Sequence, residues 1–265
     1  MNLTQAQNTA VKAAKAVGVS MRRHLRETKR AHLTTQHDIK LELDVQSQAL
    51  IERTLRSSFP KVALLGEEGV AGDAGAEYRW VVDPIDGTVN FAYGIPHACV
   101  SIALQRRAQG PGPADYPDGY DTLAGVVYDP FCDELWTGIR GKPARMNGRI
   151  IHVSRRPKLS EAIVSVGFAK SRESITAALP YFNKLVYRIR KIRIMGAAAL
   201  GLTYVATGRF DAYIEGGIRL WDVAAGGLIL ECAGGEFWHR PIPGEHAYRI
   251  IATNGLLRRS LRVPD

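Results

Sequence analysis

Residues 80–91 read Trp-Val-Val-Asp-Pro-Ile-Asp-Gly-Thr-Val-Asn-Phe, and they constrain the fold more than any other stretch. Trp80, Val81 and Val82 form an apolar run that predicts a buried strand. The run ends on Asp83-Pro84 and Asp86-Gly87, both turn-favouring dipeptides. Either dipeptide alone predicts only a loop that closes a strand. Together they plant two carboxylates where a rigid strand fixes the first and one tight turn brings the second beside it. Such a pair repels itself unless a cation or a shared proton relieves it. Magnesium suits the task, because it prefers oxygen ligands and leaves positions for water and substrate phosphate. Gly87 leaves backbone N–H groups open to an anion, and a helix starting near Thr88 would add a favourable dipole. Carboxylates for a metal beside N–H groups for a phosphate point to phosphoryl transfer.

The rest of the chain predicts mixed helices and strands. Helices are expected at roughly 3–29 and 43–58, the second stopped by Pro60. Residues 62–69 read as a short strand running into the polar turn Gly66-Glu67-Glu68-Gly69. Four strand-like runs follow residue 96, suited to an antiparallel meander: 97–104, 123–129, 133–139 and 149–154. The glycine- and proline-rich segment 105–121 reads as an extended surface loop. The second half alternates strands at 161–168, 189–196, 210–216 and 249–254 with helices at 173–189, 197–208 and 222–235. No repeat or linker divides the chain, so the expectation is one α+β unit of layered sheets, with a metal-binding half at about 1–155 and a second half at about 156–265.

Two further acidic sites fit the same chemistry. Glu67 directly follows a strand, although a charged turn would look the same. Asp222 stands where a helix N-cap is expected, and as a cap it needs no other role. The Ala- and Gly-rich helix behind it would pack closely and press that carboxylate into the site.

Composition excludes several classes. With 46% hydrophobic and 23% charged residues, the 265-residue chain is globular rather than disordered. No apolar run spans a bilayer. Three widely spaced cysteines, Cys99, Cys132 and Cys232, fit neither a disulfide framework nor a zinc cluster, so a reducing, cytoplasmic setting is expected. Residues 1–26 lack acidic side chains but carry Lys12, Lys15, Arg22, Arg23 and Arg26. Transit peptides share that composition, yet Ala10, Val11, Ala14, Val17, Met21 and Leu25 lie near helical spacing and favour an amphipathic helix. The net charge of +9 would steer anionic partners, but the basic residues are scattered and lack interleaved aromatics. A nucleic-acid partner is therefore not expected. His97, His152 and His239 are isolated, and Gly138–Lys142 lacks phosphate-loop spacing.

The three acidic segments in this order, Gly-Glu-Glu-Gly, then Trp80–Phe91, then Tyr213–Gly227, resemble the inositol monophosphatase family of magnesium-dependent, lithium-sensitive sugar phosphatases. The likeness runs from the N-terminal helices to the closing 250–257 segment. It implies a five-layered αβαβα sandwich, usually a homodimer, acting on a small phosphorylated metabolite. By resemblance, Glu67, Asp83 and the carbonyl of Ile85 hold a first Mg2+, and Asp83, Asp86 and Asp222 hold a second; a weaker third would lean on Glu67. Thr88, supported by Asp44, would orient the attacking water. Gly87 and Thr88 N–H groups would bind phosphate, while Gly196, Ala197, Ala198 and Glu215 would face the substrate. The chain departs from the family pattern at Asp38-Ile39-Lys40-Leu41, where Asp-x-Val-Thr is common, and at Ala197, where a hydroxyl residue is common. Inositol monophosphate is the first substrate implied; fructose bisphosphate, histidinol phosphate and 3′-phosphonucleotides are the rivals within the fold. A basic RNA-binding or regulatory protein is the rival from another class.

Overall fold

The structure, a computed structural model, describes residues 1–27, 31–34, 39–73, 75–109, 114–168 and 172–261. The first half contains helices α1 (Leu3–His24), α2 (Glu42–Ser58) and α3 (Thr88–Ala92). Its strands are β1 (Ala31–Thr34), β2 (Ile39–Leu41), β3 (Ala63–Gly66), β4 (Gly69–Ala71), β5 (Tyr78–Asp86), β6 (Cys99–Arg107), β7 (Tyr120–Asp129), β8 (Glu134–Ile139), β9 (Arg145–Met146) and β10 (Arg149–Ile150). The second half alternates β11 (Ile163–Val166), α4 (Arg172–Val186), β12 (Lys191–Arg193), α5 (Ala198–Ala206), β13 (Ala212–Arg219), α6 (Leu220–Cys232), β14 (Glu236–Pro241) and β15 (Ala247–Thr253).

Eight strands form one sheet in the order β10-β9-β8-β7-β6-β5-β3-β4, antiparallel except for the β3–β5 pair. Five form a second in the order β12-β11-β13-β15-β14, with parallel pairing on either side of β11. Helices α1 and α2 cover the outer face of the large sheet. Helices α5 and α6 fill the space between the sheets, and α4 packs on the far side of the small one. The layers thus run αβαβα, as the resemblance implies.

The elements follow from their sequences. Helix α1 buries Ala6, Ala10, Ala13, Ala14, Val17 and Met21 along one stripe, and Asn2 caps it by accepting the Gln5 N–H at 3.1 Å. The basic N-terminal segment is therefore a core helix. Helix α6 is apolar all round, as a helix between two sheets must be. Its approach to the large sheet depends on Gly125 of β7, where a Cβ would sit 2.7 Å from the Ala225 carbonyl oxygen.

Several expectations need correction. The first helix stops at His24, and β1 and β2 form a small antiparallel ribbon before α2. Only Arg149–Ile150 of the 149–154 run is strand, while β14 was not anticipated. The 105–121 segment is more than a surface loop. Strand β6 continues to Arg107, Tyr116 is buried and stacks on His239 at 4.7 Å, and Asp118 pairs with Arg79 at 2.6 Å. Aromatic and ionic anchors hold residues 114–121 against the protein. Among the described residues, no helix is long and apolar enough to cross a membrane.

Candidate active site

Strand β5 delivers the two aspartates by slipping register. Asp83 lies opposite Ser101 of β6 but Asp86 lies opposite Cys99, so three steps on β5 match two on β6. Side chains alternate faces along a strand, and residues three apart would point oppositely. The extra residue puts both carboxylates on one face. Asp83 Oδ1 accepts the Ile85 N–H at 3.0 Å, which tightens the turn. Gly87 then takes a left-handed φ of +89° and opens α3. A Cβ there would lie 2.9 Å from the His97 carbonyl oxygen and 3.1 Å from Ala197 Cβ. The Thr88 hydroxyl donates to the Ile85 carbonyl at 2.8 Å, so the two atoms expected to hold water and metal are neighbours.

Three distant segments close around this turn. Asp86 receives the Ala198 and Ala199 N–H groups at 3.1 and 2.7 Å, one on each oxygen, so it caps α5 across the fold. Asn90 donates to the carbonyls of His97, Met195 and Gly196, fastening the 195–196 segment to α3. Asp222 arrives on α6, whose start is tied to β6 by Ser101 donating to the Trp221 carbonyl at 3.0 Å. Asp222 is not the N-cap residue; Arg219 is. Asp222 sits at the third helical position and folds back to accept the Arg219 N–H at 2.8 Å. Asp44 does the same on α2, accepting the Leu41 N–H at 2.7 Å.

One ligand oxygen from each of Asp83, Asp86 and Asp222 lies within 4.8 Å of the others. Burial pushes the Asp83 carboxyl well above the usual carboxylate range, and Glu67, Asp86 and Asp222 push the same way. Burial likewise raises Asp86 to about 7, with Glu215 adding to it and the Ala198 and Ala199 N–H groups pulling back. An all-oxygen donor set whose members resist ionising together is the set a hard divalent cation stabilises. The residues fit magnesium.

These groups line one cavity of about 790 Å³. Glu67, Asp83, Ile85, Asp86, Gly87, Thr88, Gly196, Ala197, Ala198, Glu215 and Asp222 all face it. Asp44 does not line it. Asp44 is buried at the start of α2, just after β2, which packs against α3. Glu215 accepts a hydrogen bond from the buried Tyr213 hydroxyl. Asp38, at the altered loop, lies outside the described residues.

Sequence reading missed several residues here. Gln48 of α2 accepts the Glu68 N–H at 2.9 Å and donates to the Gly69 carbonyl at 3.1 Å, and so orders the Glu67 turn. A glutamine on the buried face of α2, in line with Asp44 and Ile51, was the available signal. Ser165, Phe168, Arg219, Ile242 and Pro243 also reach the cavity, and nothing in their local patterns announced it.

The sequence model of the inositol monophosphatase family matches this chain over residues 2–254. A protein named Nus factor SuhB from Xylella fastidiosa is 38% identical over 233 residues, covering 87% of this chain and 80% of that one. Inositol monophosphatase 1 of Solanum lycopersicum is 36% identical over 269 residues, covering 98% and 94%. The crystal structure of extragenic suppressor protein suhB from Bartonella henselae superposes with a TM-score of 0.85 at 32% identity, covering 97% of this chain and 96% of that one. A match across nearly the whole chain, on the segments that build the cavity, leaves one conclusion: this chain belongs to the inositol monophosphatase family.

Proposed function

We propose that the chain is a magnesium-dependent phosphomonoesterase acting on a small polyol or sugar phosphate, with inositol monophosphate as the reference substrate. The observation that carries this reading is the convergence of Asp83, Asp86 and Asp222 within 4.8 Å at the wall of a substrate-sized cavity. Asp83, Asp86 and Asp222, with Glu67 and the Ile85 carbonyl, would hold two ions, and Glu67 would also favour a third. When bound, magnesium supplies positive charge to the phosphate oxygens and lowers the pKa of water.

The chain's own residues would do the rest. The Thr88 hydroxyl spends its proton on the Ile85 carbonyl, which leaves its oxygen lone pairs to accept from a water. Thr88 would therefore orient the attacking water rather than deprotonate it, and Asp44 at the start of α2 would support that geometry. The Gly87 and Thr88 N–H groups at the opening of α3 would bind phosphate oxygens. Glu215 would accept hydrogen bonds from substrate hydroxyls. Water adds to phosphorus, the ester P–O bond breaks, and the leaving oxygen takes a proton.

The relatives carry two kinds of name, inositol monophosphatase and Nus factor. A binding or regulatory role is thus the competing reading, and a net charge of +9 suits a polyanionic partner. Phosphate release from a panel of inositol, sugar, histidinol and 3′-nucleotide phosphates, with magnesium and with EDTA, separates them. Magnesium-dependent release supports the phosphatase. No release from any member would leave the binding role.

A further inference from the structure

The cavity wall carries the carboxylates Glu67, Asp83, Asp86, Glu215, Asp222 and Glu245, but its described lining includes a single basic side chain, Arg219. Resting on the phosphatase reading, we propose that Arg219 binds a second anionic group of the substrate, so that the site prefers sugar phosphates bearing another phosphate or a carboxylate.

Position and partners support this. Arg219 ends β13 just after the register with β15 slips between Gly216 and Ile218, and it also caps α6. That slip brings Gly217, Ile218 and Arg219 in turn to the cavity. The Arg219 backbone N–H donates to Asp222, and its side chain lines the same cavity as the carboxylate cluster without being part of it. An arginine among six carboxylates would be expected to pair with one. Among the described residues no ion pair joins it to any; its one side-chain bond is donated from Nη1 to the Glu245 backbone carbonyl. Neutral anchorage of one nitrogen leaves the charge and the other N–H groups for an anion, and a guanidinium matches phosphate and carboxylate as a two-pronged donor.

The anchor is itself braced. His246, next to Glu245, lies 3.9 Å from Asp118, which pairs with Arg79 at 2.6 Å. Asp118 thereby contacts the rim that anchors Arg219, and a side chain fixed in advance loses less freedom on binding. At about 790 Å³ the cavity lies high in the range of roughly 300–1,000 Å³ for small-molecule pockets, with room beyond one phosphate.

The test uses three substrates that differ at one carbon: glucose 1-phosphate, glucuronic acid 1-phosphate and glucose 1,6-bisphosphate. In the wild type with magnesium, kcat/KM for the two doubly anionic substrates should exceed that for glucose 1-phosphate by at least tenfold, mainly through KM. Arg219→Gln should shrink that preference to about twofold or less, and Arg219→Lys should keep part of it. The carboxylate substrate distinguishes general anion binding from a bisphosphate that simply offers two scissile groups. A wild type without preference overturns the proposal. So does an Arg219→Gln protein that loses all three substrates equally, because Arg219 would then serve only to hold the 242–247 rim. If the wild type hydrolyses none of them, the wider panel of inositol, histidinol and 3′-nucleotide phosphates tests the phosphatase reading separately. Calorimetric titration of glucose 1,6-bisphosphate against glucose 1-phosphate, in wild type and Arg219→Lys, then decides the binding claim by the same tenfold criterion.

Discussion

Replacing Asp86 by Asn tests the charge balance at the centre of the site. Burial, followed by Glu215, raises the Asp86 carboxyl from 3.8 to about 7. In the unfolded chain it ionises near the ordinary value, so between about pH 4 and 7 the folded state binds the extra proton. Stability from this group is fully present below pH 4 and is lost as pH rises towards 7. Above that, the metal-free folded state carries an ionised buried carboxylate at a cost of roughly 4 kcal/mol, taking 1.36 kcal/mol per pH unit. Asparagine removes this cost but introduces another. Both Asp86 oxygens accept backbone N–H bonds, from Ala198 and Ala199. The Asn NH2 must face one of them, which leaves a buried donor unpaired at about 1–3 kcal/mol.

The two terms oppose each other with different pH dependence. Near pH 8 in EDTA, Asp86→Asn should be more stable than the wild type by about 1–3 kcal/mol. Near pH 4 it should be less stable by a similar amount. At about 2–4 °C per kcal/mol for a chain of this size, the melting temperatures should cross between those limits. Differential scanning calorimetry of both proteins in EDTA across pH 4–8 reads this directly. A difference that stays constant with pH would refute the buried-charge reasoning. Adding magnesium at pH 8 should raise the wild-type melting temperature and leave the variant nearly unmoved, and magnesium-dependent phosphate release should be lost.

Glu215→Gln should lower kcat/KM for inositol phosphate by roughly 10- to 150-fold, the loss of a charged hydrogen bond worth about 1.5–3 kcal/mol, while sparing an aryl phosphate that has no hydroxyls. Equal losses on both substrates would move Glu215 into the catalytic machinery. Gly87→Ala combines a left-handed φ with a Cβ 2.9 Å from the His97 carbonyl oxygen, so it should cost at least about 1–3 kcal/mol, read as a lower melting temperature, and should impair phosphate release together with it. Unchanged stability and activity would show that the turn is not a fixed phosphate cradle. Lithium at roughly 50 mM should inhibit phosphate release at optimal magnesium, as a hard cation competing for oxygen ligands; full activity would separate this chain from the family's behaviour.

Much of this site was written in local patterns. The apolar run before Asp83, the turn residues around Asp86 and the small-residue helix behind Asp222 each have a short-range signal. What was not legible was the work done between segments. Asp86 caps a helix that starts at Ala198, and no periodicity links residues that far apart. The placement of Asp222 was off by one turn. Leu220 and Trp221 already belong to α6, because the apolar helix is drawn in between the sheets from its first residue. The 105–121 segment looked like loop because glycine and proline dominate its composition. Its described residues 114–121 are held by Tyr116 on His239 and by Asp118 on Arg79, partners that lie on other elements. Sequence patterns record the secondary structure that presents a side chain, whereas the partner that fixes it is a property of the packing.

The helix starts explain how so many carboxylates can share one cavity. Helix α5 opens on Asp86, α6 opens on Asp222, and the short α3 opens at Gly87 beside both. Asp86 and Asp222 therefore accept N–H groups at helix N-termini, where the peptide dipoles favour negative charge, whereas Asp83 accepts the Ile85 N–H of its own turn. That offsets part of the burial cost, and the remaining cost keeps Asp86 near 7 and Asp83 above the usual range. A divalent cation would remove it by using the oxygen lone pairs that the N–H groups do not occupy. The carboxylates are then neither purely structural nor purely ligands. Close packing of the Ala- and Gly-rich helices is what lets one set of oxygens face backbone N–H groups on one side and the cavity on the other. A bulkier residue at Gly125 would push α6 away from the large sheet, and Asp222 would leave the cluster with it.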